Sequence, residues 1–354
     1  MERKTHYERI IGGTPEEKEV ALQELQVVFE ERSEELAEYE IEKSPEDLEI
    51  LKKIESIIDR MVAQYGGKPK RLPLDHIYIL KPGSVLAMTK GRLAGGICNP
   101  IELKIGVEKE KSKFLFASGV AHELFHLKSY KSARVDKSSK DVHLYRDGIS
   151  MIDQKDPNEE PGEEKKYFAM LEEAIVTECT GKFLDEISKD AIFREEAEAI
   201  KKFGGWVVAF YRGGGMPEEK AKELERELKY ISEAQDRVAQ VLAFSDDEKE
   251  RRGYAAGMFR VMCEKGKVET VERYLERKKL YELLDTLIEN SGGRFKNRDE
   301  IFSEFAKAHF SGNYLSLARI VESILGKSSF RRLAEEFSKE PKKEEHGTSE
   351  KPHS

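Results

Sequence analysis

His122, Glu123 and His126 stand together in the stretch GVAHELFHLKSY, residues 119–130. Two residues four apart on an α-helix lie one above the other on the same face. Imidazoles so placed can grip one zinc ion, and a glutamate between them is positioned to polarise a zinc-bound water. The H-E-x-x-H order on a helix therefore points to metal-assisted hydrolysis. The plainer alternative is a pair of core histidines satisfied by other partners. Phe114, Leu115, Ala117, Val120, Ala121, Leu124 and Phe125 surround the pair and give an apolar-periodic helix.

A catalytic zinc ion takes three protein ligands and keeps a fourth position for water. The best source of a third ligand is YFAMLEEAIVTECTGKF, where Glu172 and Glu173 interrupt an otherwise apolar helix. Unpaired carboxylates would be costly there. The two point about 100° apart around the helix. Ala169, Thr177 and Gly181 flank the Glu173 side and would let this helix approach the histidine helix closely. That favours Glu173 as ligand. Glu178 is a further candidate, and a solvent-facing or salt-bridged carboxylate is the plain alternative for Glu173. Cys98, Cys179 and Cys263 read as buried structural thiols.

The elements that must carry these residues are legible in outline. The chain has 354 residues, enough for two or three structural units. Charged residues make up 37% of it, so the surface is polar and the core is expected to be thin and spread over helices. A formal net charge of −8 argues against a general nucleic-acid role, because phosphate binding needs a positive face. Three dispersed cysteines fit a reducing compartment. MERKTHYERIIGG lacks an apolar run of signal-peptide length, and no run long enough to span a membrane occurs. The expectation is a cytoplasmic, soluble protein.

Residues 1–70 read as charged helices. Ser44 is the expected cap of SPEDLEILKKIESIIDRMVAQYGG, with Pro45 at the first helical position, Asp47 closing an acidic capping box and Gly66-Gly67 as the stop. Beyond Gly67, DHIYIL, SVLAMTKGRLAGGIC and IELKIGV read as strands, the last with Ile101, Leu103 and Ile105 on one face and Glu102 and Lys104 on the other. A polar segment follows the histidine helix, then VHLYRDGISMID as a short strand or hairpin, then the turn-rich loop QKDPNEEPGEEKK. From about residue 190 to 338 nearly everything reads as helix, with Trp206 and Phe310 as core. The end, SKEPKKEEHGTSEKPHS, should be disordered, which removes His346 and His353 as ligands.

AHELFH followed by a helix reading LEEAIVTE resembles the gluzincin class of zinc metallopeptidases. In that class a glutamate on a second helix, usually followed by a small residue, completes the site. Here Ala174 follows Glu173. AGGICNPIELKI is similar to the strand pair before the motif helix, and YRDGISMI to the short strand between the metal helices. FAKAHFSGNYLSLARIVESILGKSSFRRLA is reminiscent of the helical C-terminal part of some bacterial members.

The resemblance implies an α+β, predominantly helical fold with a small zincin-like sheet and two metal-bearing helices, followed by a helical C-terminal domain. The expected boundaries are a charged helical segment over 1–70, a metal-binding catalytic core over 71–190, a helical domain over 191–340 and a tail over 341–354. One Zn2+ per chain would be held by His122, His126 and Glu173. Glu123 would take a proton from the water and pass it to the leaving amine of a peptide substrate. A sheet edge within residues 91–97, with Gly95 and Gly96, could pair with an extended peptide. His143, Tyr145 and Tyr167 are candidates to stabilise the oxyanion, and Arg146 could orient Glu173 or a neighbour. Two other readings compete: an inactive helical interaction or scaffold protein, and a regulatory metallopeptidase-like domain acting on one cytosolic partner. The sequence leaves the oligomeric state open.

Overall fold

Capping chemistry sets the first helices. In the computed structural model, which describes residues 7–89, 96–136, 141–153, 165–228, 234–264 and 270–338, Thr14 and Ser44 each close a full capping box. They start α1 (Pro15–Glu30) and α3 (Pro45–Gln64). Between these lies the short α2 (Glu34–Tyr39). α3 ends just before Gly66, whose φ of +76° suits the turn. A short strand, β1 (Arg9–Ile11), precedes them. It pairs in parallel with β5 (Lys131–Val135), and neither strand was expected from the sequence.

Two small sheets follow. In the first, β2 (Ile77–Leu80) runs parallel to β4 (Lys104–Glu108), which pairs antiparallel with β3 (Gly96–Asn99). The order β2-β4-β3 leaves β3 outermost among the described residues. The second sheet has the order β1-β5-β6-β7-β8 and adds β6 (Val142–Asp147), β7 (Ser150–Asp153) and β8 (Lys165–Tyr167). β6 and β7 pair antiparallel as a hairpin, one of the two readings of VHLYRDGISMID.

The strand expected over SVLAMTKGRLAGGIC is split. Its first part is a short helix, α4 (Ser84–Met88), entered through Gly83 at φ +86°. The Glu108 carboxylate accepts the Val85 N–H at 2.7 Å and so satisfies a helix-end amide. Only Gly96–Asn99 is strand, and residues 90–95, Gly95 included, lie outside the described residues. β4 also departs from expectation. Leu103 has φ +56°, which interrupts the alternation, and the strand begins at Lys104. It is the central strand of its sheet, and successive residues on both faces are buried. Lys104 is buried with them, its Nζ donating to the Val28 carbonyl at 2.8 Å.

The histidine helix is α5 (Lys113–Leu127), and the glutamate helix is α6 (Ala169–Ile187). After them come α7 (Ala191–Gly213), α8 (Glu218–Glu227), α9 (Ala234–Phe244), α10 (Glu248–Glu264), α11 (Thr270–Asn290), α12 (Arg298–Ser311), α13 (Tyr314–Leu325) and α14 (Ser329–Glu336). The fold is α+β and predominantly helical, with two small sheets.

The main core joins α3, α5, α6 and α11–α14 through residues such as Ile54, Ile58, Val120, Leu124, Ile175, Phe183, Leu284, Phe305 and Val321. Phe310 belongs to it. Trp206 is also buried, but in a second cluster built by α7, α9 and α10 around Phe203, Val207, Val241 and Phe259. α7 spans both clusters, with Phe193 and Ile200 in the main core and Phe203 to Val208 in the second. No described helix is long and apolar enough to cross a membrane. The tail over 341–354, where disorder was expected, and most of the QKDPNEEPGEEKK loop lie outside the described residues.

Candidate metal centre

α5 is fixed at its start by a neighbour. Ser112 caps it by accepting the Leu115 N–H at 3.1 Å. Glu196 of α7 accepts the Lys113 and Phe114 N–H groups at 3.1 and 2.9 Å and the Ser112 hydroxyl at 2.6 Å. A carboxylate at a helix N-terminus also matches the helix dipole. At the other end, Lys128 is fully buried. Its ammonium donates to Glu55, Asp59 and the Lys70 carbonyl, tying α5 to α3. α6 begins at Phe168, a buried residue held at φ +60°. The Met170 N–H of its first turn donates to the Phe337 carbonyl at 3.1 Å.

These two helices bring His122, His126 and Glu173 together. The Glu173 carboxylate lies 2.8 Å from His122 Nε2 through Oε1 and 3.1 Å from His126 Nε2 through Oε2. One ligand atom from each residue falls within 4.8 Å of the others. Among the described residues this is the only group of three or more His, Cys, Asp or Glu side chains so arranged. His122 is buried, while Glu173 keeps about a third of its side chain exposed (31%), so the group sits at the edge of the core with one side reachable.

The donor set fits a metal ion. On the far side of His126, Nδ1 is 3.6 Å from Glu172 Oε1. A carboxylate there favours the tautomer with a proton on Nδ1 and leaves the Nε2 lone pair for a cation. Without a metal, Glu173 and His126 hold each other as ions. Burial alone would raise the Glu173 carboxyl, but the two imidazoles outweigh it and keep it well below the usual range. Burial would lower His126, but Glu173, Glu172 and Glu123 outweigh it and keep its pKa well above the usual value.

Glu123 is buried on α5 and packs against β3. A Cβ at position 96 would stand 2.8 Å from Glu123 Cγ and 2.9 Å from Oε1, so any larger residue there would push the Glu123 side chain aside. The close approach that Gly96 permits is thus to Glu123.

The remaining candidates sort clearly. Glu178 accepts the Tyr281 hydroxyl at 2.6 Å and faces Lys182, on a different side of α6 from the Glu173 pair. Cys179 is fully buried, whereas Cys98 on β3 is only half-buried, and burial pushes both thiols up. The Cys263 side chain lies outside the described residues. Tyr145 takes the Arg134 guanidinium over its ring at 6.0 Å, and Tyr167 packs at the edge of the main core. Among the described residues neither His143 nor Tyr145 bonds to the triad.

Arg146 acts at one remove. Its guanidinium is sandwiched between the Tyr130 and Tyr314 rings at 4.7 and 4.8 Å. It donates to the carbonyls of Gly148, Gly312 and Ala308. This clamps the β6–β7 turn onto the end of α12, and Ile149 in that turn donates its N–H to Glu172 Oε2 at 2.8 Å. Arg146 therefore bears on Glu172 and not on Glu173.

His309 of α12, fully buried, reaches the same Glu172 oxygen with Nδ1 at 3.0 Å. Neither this histidine nor the bridging place of Glu172 was anticipated. The available signal was a histidine on the apolar face of Phe302, Phe305, Ala306 and Phe310. No family model, no curated protein and no solved structure matches this chain.

Proposed function

We propose that this chain is a zinc-dependent hydrolase of peptide bonds with one ion held by His122, His126 and Glu173. The observation that carries the proposal is the meeting of both Nε2 atoms on one carboxylate from a separate helix. The order of parts supports the likeness to gluzincins: a strand pair with an outer antiparallel strand, the motif helix, short strands, then the glutamate helix. A bound zinc ion would supply Lewis acidity toward a carbonyl oxygen and lower the pKa of water.

The residues of the chain do the rest. His122 and His126 present neutral nitrogens, and Glu173 brings the charge that offsets part of the cation's. Glu123 accepts a proton from the attacking water at its carboxylate as the water oxygen bonds to the carbonyl carbon. It returns that proton to the amine as the C–N bond breaks. Burial beside Gly96 restricts the Glu123 side chain, which limits the positions its oxygens can take. The substrate class is a peptide or protein segment laid along the outer edge of β3.

The test is zinc content with activity. Wild type should carry about one zinc per chain, lost in both His122→Ala and Glu173→Ala. Glu123→Gln should keep the zinc and lose about 10²–10⁴-fold in cleavage of a quenched peptide library. Wild type that takes up no zinc when supplied with it would overturn the proposal. So would a fully active Glu123→Gln.

A further inference from the structure

Glu172 is a buried carboxylate with an unusual division of labour. Oε2 accepts the Ile149 N–H at 2.8 Å and faces His309 Nδ1 at 3.0 Å. Oε1 is buried with no hydrogen-bond partner among the described residues, and it faces His126 Nδ1 at 3.6 Å. An under-used buried acceptor is costly. It is best used where it can accept the Nδ1–H of a metal ligand, because that bond fixes the ring and its tautomer.

The other end of the bridge is built with equal care. His309 has no exposed surface, and its Nε2 has no partner among the described residues, so Nδ1 is its one working contact. The turn that covers the pair is Gly148 at φ +57°, where any Cβ would collide with both Glu172 Oε2 and His309 Nδ1. Arg146 holds that turn against Ala308 and Gly312 at the end of α12, and Tyr130 N–H donates to the His309 carbonyl at 3.0 Å.

We infer that Glu172 and His309 are positioning residues that hold His126 for the metal, so that α12, 137 residues away in sequence, is a working part of the metal centre. The inference rests on the zinc reading above. Neither residue touches the substrate or the ion. His309 Nδ1 donates to Glu172 Oε2, Glu172 Oε1 faces His126 Nδ1 at 3.6 Å, and His126 is left with its Nε2 lone pair aimed at the Glu173 side.

Zinc affinity decides this, measured on the full chain by competition with a chromophoric chelator, with circular dichroism to establish that each variant is folded. Glu172→Gln keeps the shape and removes the charge. His309→Leu removes the donor, and His309→Asn restores an N–H near the Nδ1 position. Glu172→Gln and His309→Leu should each weaken zinc binding about 10–100-fold, and His309→Asn should return to within about threefold of wild type. The double variant should be no weaker than Glu172→Gln alone, because both residues act through one path. The cobalt(II) absorption bands of Glu172→Gln should shift as His126 loosens.

If His309→Leu does not fold, Glu172→Gln and His309→Asn carry the test. A folded Glu172→Gln with wild-type zinc affinity and an unchanged cobalt spectrum would overturn the inference. So would a folded His309→Asn as weak as Glu172→Gln. Wild type that binds no zinc overturns the proposed function and this inference with it. Wild-type binding that is indifferent to position 172 overturns this inference alone.

Discussion

Two glycines set the fine geometry around the metal helices, and each gives a separable prediction. Gly96 leaves room for Glu123: the three atoms nearest a Cβ built there all belong to Glu123, not to the His122–Glu173 pair that would hold an ion. Gly96→Ala should therefore keep zinc affinity within about threefold while cutting peptide cleavage about tenfold or more, because the displaced carboxylate loses its reach to the water. Gly148 is both left-handed and pressed on Glu172 and His309. Gly148→Ala should destabilise the fold by about 1–3 kcal/mol, seen in urea unfolding, since backbone strain and a clash add. At the same scale, the histidine ligands must be deprotonated to bind a metal. Because His126 is held above the usual histidine value in the metal-free protein, zinc affinity should already fall as pH drops toward about 6.5, and zinc uptake should release protons into weak buffer.

Among elements, α5 is held at both ends by charges from other helices. Glu196 of α7 caps its start, and Lys128 is buried at its end against Glu55 and Asp59 of α3. Removing one partner of a buried ion pair leaves the other charge uncompensated. Lys128→Ala should thus cost about 3–5 kcal/mol in chemical denaturation. α3 depends on its capping box, and Ser44→Ala should cost about 1 kcal/mol, a shift small enough to leave zinc binding intact. Arg146 joins the β6–β7 turn to α12 through three carbonyls and two aromatic rings. A lysine there keeps the charge but not the planar fork, so Arg146→Lys is not a conservative change.

For the whole molecule, acid stability follows from which buried groups resist protonation. Burial keeps the His76 pKa below the usual histidine value. As pH falls below about 6.5 the unfolded chain takes a proton that folded His76 refuses. That part of the stability is present above the unfolded pKa and is lost as pH falls through the folded one. Burial works against the Asp47 carboxylate too, but Lys109 and Ser44 outweigh it and hold its pKa below the usual range. Its contribution is present above about pH 4 and disappears at lower pH. Between pH 7 and 5 the melting temperature of metal-free His76→Asn should lose less, or gain more, than that of metal-free wild type. Cutting the chain after α10 would strip α11–α14 from α6 and remove His309. The shortened chain should expose hydrophobic surface and lose high-affinity zinc binding.

Local chemistry in the sequence determined much of this protein. The spacing of His122 and His126, the capping box at Ser44 and the small residues beside Glu173 each act within a few residues, so they can be read without neighbours. The hairpin around Gly148 and the helical run beyond residue 190 were legible for the same reason. Contacts distant in sequence decided the rest. β5 is hidden by a polar composition, because its Lys131 ammonium is neutralised by Asp147, Ser129 and the His126 carbonyl. β4 is buried on both faces because Ile105 and Val107 enter the main core while Gly106 lies against Leu36 of α2, which its alternation could not reveal. That Glu173 faces the His122–His126 pair was legible, but why Glu172 is not idle depends on where α12 docks. A carboxylate's role is set by the groups around it, and here the decisive group, His309, comes from the far end of the chain.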